Sequence, residues 1–381
     1  MIEIDASQGN GGGLVLRGAL VLSVLTGKAL RLTCIRAKRC SPGLKLQHLR
    51  LIEALARIGN AHLEGAVIGS QSLVFEPRQA ARCDSAIDID TPGSITLLLQ
   101  ALFLPLSFSG RVSQLRLVGV THAPRSPSYE SFAWHWLPVL ERAGYRADVD
   151  LQLTGFPPRG GGIVHATIHP VSAVEPLQLL ERGSLLRVTG LSAVACLDLS
   201  VAERQRLHVL SRLHGLDVPV SIVSGMVPAA VPGAYVVLLA EFEHSRQCFF
   251  ARGELGKPAE TVAHEAADAL LSCLDGGGAV DAHLANQLLL PLSFADGVSA
   301  ISTSRITQHL LTTAELIGRF LPSVVSVDGQ VGEPGHVVVR GVGAPSPAVQ
   351  SVPEAVTDHG LGRSLLLPVA GRRPVTPVPL P

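Results

Sequence analysis

The feature that most constrains this chain is an internal repeat. LPLSFSG at residues 104–110 returns as LPLSFADG at residues 290–297. The register holds beyond the motif. Pro105 matches Pro291, Val112 matches Val298, Ser113 matches Ser299 and Thr121 matches Thr307, all at one offset. An apolar helical run, a short strand and a polar loop therefore recur as a unit. This predicts an α+β (α/β-like) fold: a body of repeated βαβ-type units, with sheets backed by helices. One position breaks the correspondence, because Ala123 stands where the second copy carries His309. The repeated scaffold does not itself require that histidine.

His309 lies in the stretch Ser302–Pro322, which reads as a strand end, a loop and a helix. Ala314, Ile317, Phe320 and Leu321 are apolar at helical spacing. Thr312 and Glu315 have the spacing of a capping box, so the helix is expected to begin at Thr312. His309 would then precede the cap, where free backbone N–H groups and the helix dipole attract phosphate and disfavour an imidazolium. A neutral imidazole beside a phosphate is a nucleophile or a general base. On these residues alone, a loop histidine without a role is the competing reading.

A length of 381 residues favours two domains. Apolar residues make up 47% and charged residues 16%, with a mean hydropathy of +0.35, as expected of a soluble protein with large buried sheets. No apolar run reaches membrane-helix length, and MIEIDASQGN has no signal-peptide pattern. The six cysteines are scattered without a CxxC pair. They are expected to be small buried hydrophobes in a reducing, cytoplasmic compartment, which argues against a zinc module or a disulfide framework. The net charge is zero, so any nucleic acid must be held by a local basic patch.

Several stretches could form such a patch. Gln8–Gly13, QGNGGG, joins a short strand to a buried helix expected over Leu14–Leu25. Its glycines suit either close approach of a phosphate or a tight turn, and no Walker Lys-Ser/Thr follows. Arg36, Lys38, Arg39 and Lys45 surround the Pro42-Gly43 break, and Gln47 and His48 open the next helix. These cations could hold an RNA or nucleotide phosphate, or form a solvated loop. Gln100 sits in an otherwise apolar helix, as a satisfied amide or as a ligand contact. His283, Asn286 and Gln287 share one helical face, directed at whatever Gln100 meets in the other copy. From Glu181 to Gly276 the texture changes to a basic amphipathic helix, a strand and a second helix. This predicts a body of residues 1–180 and 277–340, a small inserted αβ domain over 181–276, and a flexible Pro-rich tail over 341–381.

Taken together, QGNGGGLVLR, IRAKRCSPGLKLQHL, GSQ at 69–71, SITLLLQ, TGFPPRGGG, ARGELGKPAE, HLANQLLLPL and TQHLLTT resemble the RNA 3′-terminal phosphate cyclase family in order and spacing. The resemblance runs from about Ile2 to Arg340. It implies a ligase that converts an RNA 3′-terminal phosphate to a 2′,3′-cyclic phosphate at the expense of ATP, through a covalent histidyl–AMP and an RNA-adenylate. By position it makes His309 the adenylylated residue. Gln100 and His283, Leu284, Ala285, Asn286 and Gln287 become ATP contacts, and Arg17, Arg36, Arg39, Gln47 and His48 line the phosphate cleft. The chain departs from the family at Asn10 and Asn286, where carboxylates are usual, at Leu14, usually glutamine, and at His283, usually tyrosine. The resemblance therefore leaves the metal ligands unknown, with Mg²⁺ or Mn²⁺ expected to arrive on ATP. Its partners would be RNA 3′-phosphate ends and ATP. The alternative is a catalytically impaired relative that binds RNA or a ribonucleoprotein.

Overall fold

The computed structural model describes residues 1–9, 12–79, 87–322 and 324–345. Within them one succession of elements, strand–helix–strand–helix–strand–strand, occurs three times. The first unit is β1 (Ile2–Asp5), α1 (Gly13–Thr26), β2 (Leu30–Thr33), α2 (Leu46–Gly59), β3 (His62–Glu64) and β4 (Leu73–Glu76). The second is β5 (Ile87–Ser94), α3 (Ile95–Ser107), β6 (Ser113–Val120), α4 (Leu137–Glu141), β7 (Arg146–Leu153) and β8 (Gly162–His169). A π-helical segment, Ser131–Trp136, leads into α4. The third unit opens with β9 (Gln178–Leu179), after which the chain departs into β10 (Leu185–Ala195), α5 (Leu199–Leu213), β11 (Val220–Met226), β12 (Gly233–Phe242), β13 (Arg246–Arg252) and α6 (Ala259–Asp275). It returns as α7 (Ala282–Leu292), β14 (Val298–Thr303), α8 (Gln308–Phe320), β15 (Val325–Asp328) and β16 (Gly335–Arg340).

The sheets show that the units are equivalent. Their strand orders are β1-β2-β4-β3, β5-β6-β8-β7 and β9-β14-β16-β15. In each, the first two strands are parallel and joined across a helix, and an antiparallel hairpin completes the sheet. In the fourth sheet, β11-β10-β12-β13, the strand that comes first in the chain, β10, lies inside with its parallel partner β11 at the edge, whereas each repeated unit puts its first strand at the edge. The fold is thus α+β, with eight α-helices among the described residues.

One apolar core runs through the three units, from Leu16, Leu20 and Leu22 of α1 through Phe103 of α3 to Leu288 and Leu292 of α7. A second core, with Val209, Val236, Leu238 and Leu270, lies where α5 and α6 pack on the fourth sheet. Residues Met1–Ala348 nevertheless form one compact unit by their contacts. Both repeated prolines lie inside their helices near the C-terminal end, Pro105 in α3 and Pro291 in α7, and the helices stop within two residues. No helix among the described residues is long and apolar enough to cross a membrane.

Four details differ from the sequence-based expectations. Helix α8 begins at Gln308 instead of Thr312, because the Thr307 hydroxyl accepts the Leu310 N–H at 3.1 Å and caps it there. Thr312 is interior, and its hydroxyl donates to the Gln308 carbonyl one turn back. Thr91-Pro92-Gly93, whose Pro-Gly pair reads as a loop in the sequence, extends β5 through a register shift. Cys34, Cys40 and Cys196 are exposed, and Cys248 and Cys273 are half-buried. Finally, Gly341, Val342 and Gly343 donate backbone hydrogen bonds to Gly297, Ser293 and Ala295, so ordered chain continues past Arg340. The expected tail from 346 onward lies outside the described residues.

Candidate active-site cleft

The first helices of the three units, α1, α3 and α7, converge on one cleft with about 750 Å³ of empty space. Arg17 and Gly18 of α1, Gln100 and Ala101 of α3, and Asn286 and Gln287 of α7 line it, with Thr313 and Leu316 of α8 closing one side. Gly18 permits this closure, since a Cβ there would lie 2.7 Å from a Leu316 methyl carbon. Thr313 Oγ1 donates to Asn286 Oδ1 at 2.6 Å and fixes α8 against α7.

The cleft holds two buried donors with no partner among the described residues, Gln100 Nε2 and Trp136 Nε1. A buried, unsatisfied N–H is costly, so a pair of them facing one cavity marks a place for a ligand's acceptors. Gln100 is therefore not a satisfied core amide. Trp136 was missed in the sequence, where it reads as core. Its ring packs in the core, edge-on to Phe103 at 5.0 Å, and the residue also lines the cleft.

Beside the cleft lies a cluster of cations. The guanidinium of Arg39 lies 3.2 Å from where a Cβ on Gly12 would be. Arg17 Nη1 and His48 Nε2 lie 2.9 and 3.5 Å from the corresponding point on Gly13. The glycines at the start of α1 thus leave room for three donor side chains. His48 Nδ1 accepts the Lys45 backbone N–H at 3.0 Å, which puts the neutral ring's proton on Nε2, facing the glycines. Burial, with Arg36, Arg17 and Lys45 nearby, pulls its pKa down to about 4, so it stays a neutral donor. Burial draws the half-buried Arg17 down to about 10, still cationic at neutral pH. Arg36 is braced by donating to the Ser41 and Gly43 carbonyls at 2.9 and 3.0 Å. The 69–71 turn holds that loop, with Gly69 donating to Leu44 and Leu44 to Ser70.

His309 occupies the first turn of α8 and is exposed. Its pKa lies below the ordinary histidine value, through desolvation first and then through His283, Arg17 and Arg39. Those influences place the four side chains in one neighbourhood. The helices agree: His283 is one turn before Asn286 and His309 one turn before Thr313, and that pair is hydrogen-bonded. The glycine loop meets the same helix, because a Cβ on Gly9 would lie 2.6 Å from Thr312 Oγ1.

Not every expected residue is gathered here. Leu284 and Ala285 are buried in the core and do not line this cleft. They share a helix with Asn286 and Gln287 but face the other way. Gln47 is exposed and packs on Gly93, whose Cβ would lie 2.9 Å from Gln47 Oε1. Asn10 lies outside the described residues.

Comparison with known proteins settles the lineage. The sequence profile described as RNA 3′-terminal phosphate cyclase matches residues 8–327. The chain belongs to the RNA 3′-terminal phosphate cyclase family. A relative of that name from Thermococcus gammatolerans is 40% identical over 341 residues, covering 89% of this chain and 98% of its own. Another, from Methylococcus capsulatus, is 37% identical over 354 residues, covering 91% of this chain and 98% of its own. Among solved structures, the enolpyruvyl transferase NikO from Streptomyces tendae matches at TM-score 0.26 and 15% identity over 50% of this chain and 34% of its own, too slight a likeness to bear on the chemistry.

Cyclase chemistry with ATP raises the question of a divalent cation. Among the described residues no group of three His, Cys, Asp or Glu side chains could hold a metal ion, and no carboxylate lines the cleft. Among the described residues the donor set does not fit a protein-held metal, so no step below is routed through one.

Proposed function

We propose that this protein is an RNA 3′-terminal-phosphate cyclase (ATP), a ligase forming phosphoric ester bonds. The observation that carries the reading is His309 at the first turn of α8, sharing its surroundings with Arg17, Arg39 and His283 beside a cleft with unmatched donors. Cations gathered without carboxylates repel one another and favour a polyphosphate among them. Gln100 and Trp136 offer N–H groups to a nucleotide's acceptors, with Asn286 and Gln287 opposite. Arg17, Arg36, Arg39 and His48 face its phosphates, and the divalent ion travels with ATP.

The neutral His309 imidazole attacks the α-phosphorus of ATP. A P–N bond forms, the bond to the β-bridging oxygen breaks, pyrophosphate leaves, and the ring proton passes to solvent. An oxygen of the RNA 3′-phosphate then attacks the same phosphorus, breaking the P–N bond and restoring the histidine. The adjacent 2′-hydroxyl attacks the activated 3′-phosphorus and expels AMP, which leaves the cyclic ester and releases the hydroxyl proton. The need for a 2′-hydroxyl makes RNA the acceptor. ATP and RNA ends as substrates suit an RNA-processing role in the cytoplasm.

The test is labelling with α-labelled ATP and Mg²⁺ or Mn²⁺. Wild-type protein is expected to carry an acid-labile, base-stable AMP, and His309→Asn none. An unlabelled wild type would transfer the reading to an RNA-binding relative without catalysis.

A further inference from the structure

A second cleft, with about 740 Å³ of empty space, opens on the other side of α7. Its walls are α4, the turn between β12 and β13, and the segment leading into α7. It shares no lining residue with the first cleft: Val280 and Leu284 face this one, and Asn286, Gln287 and Leu290 the other.

Arg142, His244, Ser245 and Arg246 form its polar rim. Among the described residues neither arginine lies within ion-pair distance of a carboxylate. Arg142 Nη1 donates to the His244 carbonyl at 3.0 Å and Arg246 Nη1 to the Trp134 carbonyl at 3.4 Å. Each fork keeps further N–H groups for a ligand. The carboxylate on the rim, Glu243, already accepts the Ser184 backbone N–H at 2.8 Å. Ser245 Oγ is buried with no hydrogen-bond partner. Nearby His135, 6% exposed, has an equally unsatisfied Nε2, 3.6 Å from Asp281 Oδ2. Leu179, Phe242, Val280 and Leu284 make the floor apolar, which strengthens any charge-assisted hydrogen bond formed above it.

We propose that this cleft is a separate binding site for a small phosphate-bearing anion. Two unpaired guanidiniums and a buried hydroxyl over an apolar floor match a phosphate's oxygens, whether the group is free or a phosphomonoester. The cleft adjoins Asp281, which caps α7 by accepting the His283 and Leu284 N–H groups at 2.8 and 3.0 Å.

Calorimetric titration of the full chain tests the assignment, with inorganic phosphate in one arm and AMP in the other. In at least one arm, wild type and His309→Asn are expected to show the same binding component. Arg142→Gln with Arg246→Gln should weaken that component at least about tenfold, the loss of one charge-assisted hydrogen bond or more, and leave His309 labelling unchanged. Ser245→Trp, which fills the cavity, should remove it too and serves if the double variant does not fold. Binding only in the phosphate arm identifies the free ion, and binding only in the AMP arm the phosphomonoester. Isotherms unaltered by both variants, or no binding in either arm, overturn the proposal. So does an effect of the variants confined to RNA binding.

Discussion

At the residue scale, the protonation of His309 decides whether it can attack phosphorus. Its surroundings penalise the imidazolium, so its folded pKa lies below the ordinary 6.5. The neutral imidazole therefore persists to lower pH than an unperturbed histidine would, and the acid limb of labelling by ATP should lie below the ordinary histidine value. His283→Phe removes a neighbour that opposes protonation of His309. Protonation of His309 becomes easier, and the acid limb of the labelling profile should move to higher pH. An NMR titration of the His309 ring should move the same way. Unchanged profiles would separate the two histidines. The repeat set His309 apart in the sequence, because Ala123 stands at the matching position. Trp136 stayed hidden, since one polar atom on a core aromatic leaves no pattern in a sequence.

At the element scale, the cap of α8 sets where His309 points. Thr307 was visible as the partner of Thr121 in the repeat, yet the two hydroxyls do different things. Thr307 caps a helix, whereas Thr121 accepts the Gly155 N–H at 2.9 Å. Identical residues in matching registers met different partners, which periodicity alone does not disclose. The Thr312–Glu315 spacing pointed to a later start, but an earlier competent cap prevailed. Thr307→Ala should cost about 1 kcal/mol in a chemical-denaturation experiment. It should also slow labelling more than this modest loss of stability explains, since the first turn carries the proposed nucleophile. A labelling rate equal to wild type would mean that α7 and Thr313 hold the turn unaided.

At the scale of the whole molecule, a buried polar knot ties the fourth sheet to the second unit. His122 Nε2 pairs with Glu130 Oε2 at 2.9 Å, and the Tyr235 hydroxyl of β12 donates to Glu130 Oε1 at 2.9 Å. Burial pushes the Glu130 carboxyl up, but the attraction and hydrogen bond of His122, a backbone contact and Tyr235 outweigh it and leave it below its ordinary value. A depressed carboxyl contributes stability above its unfolded pKa, and that stability is lost as pH falls through the folded one. Tyr235→Phe should cost about 1–3 kcal/mol. Because it raises the folded pKa, acid unfolding should begin at higher pH, as circular dichroism would show. The knot joins Glu130 to Tyr235, over a hundred positions apart, so no local pattern in the sequence disclosed it. The first unit was unreadable as a third copy for a related reason: its strands and helices repeat in topology while its residues have diverged. Since α1, α3 and α7 each bring one wall to the proposed nucleotide cleft, no single unit encloses it. A chain severed between β4 and β5 should yield two inert halves that regain activity only when they reassociate.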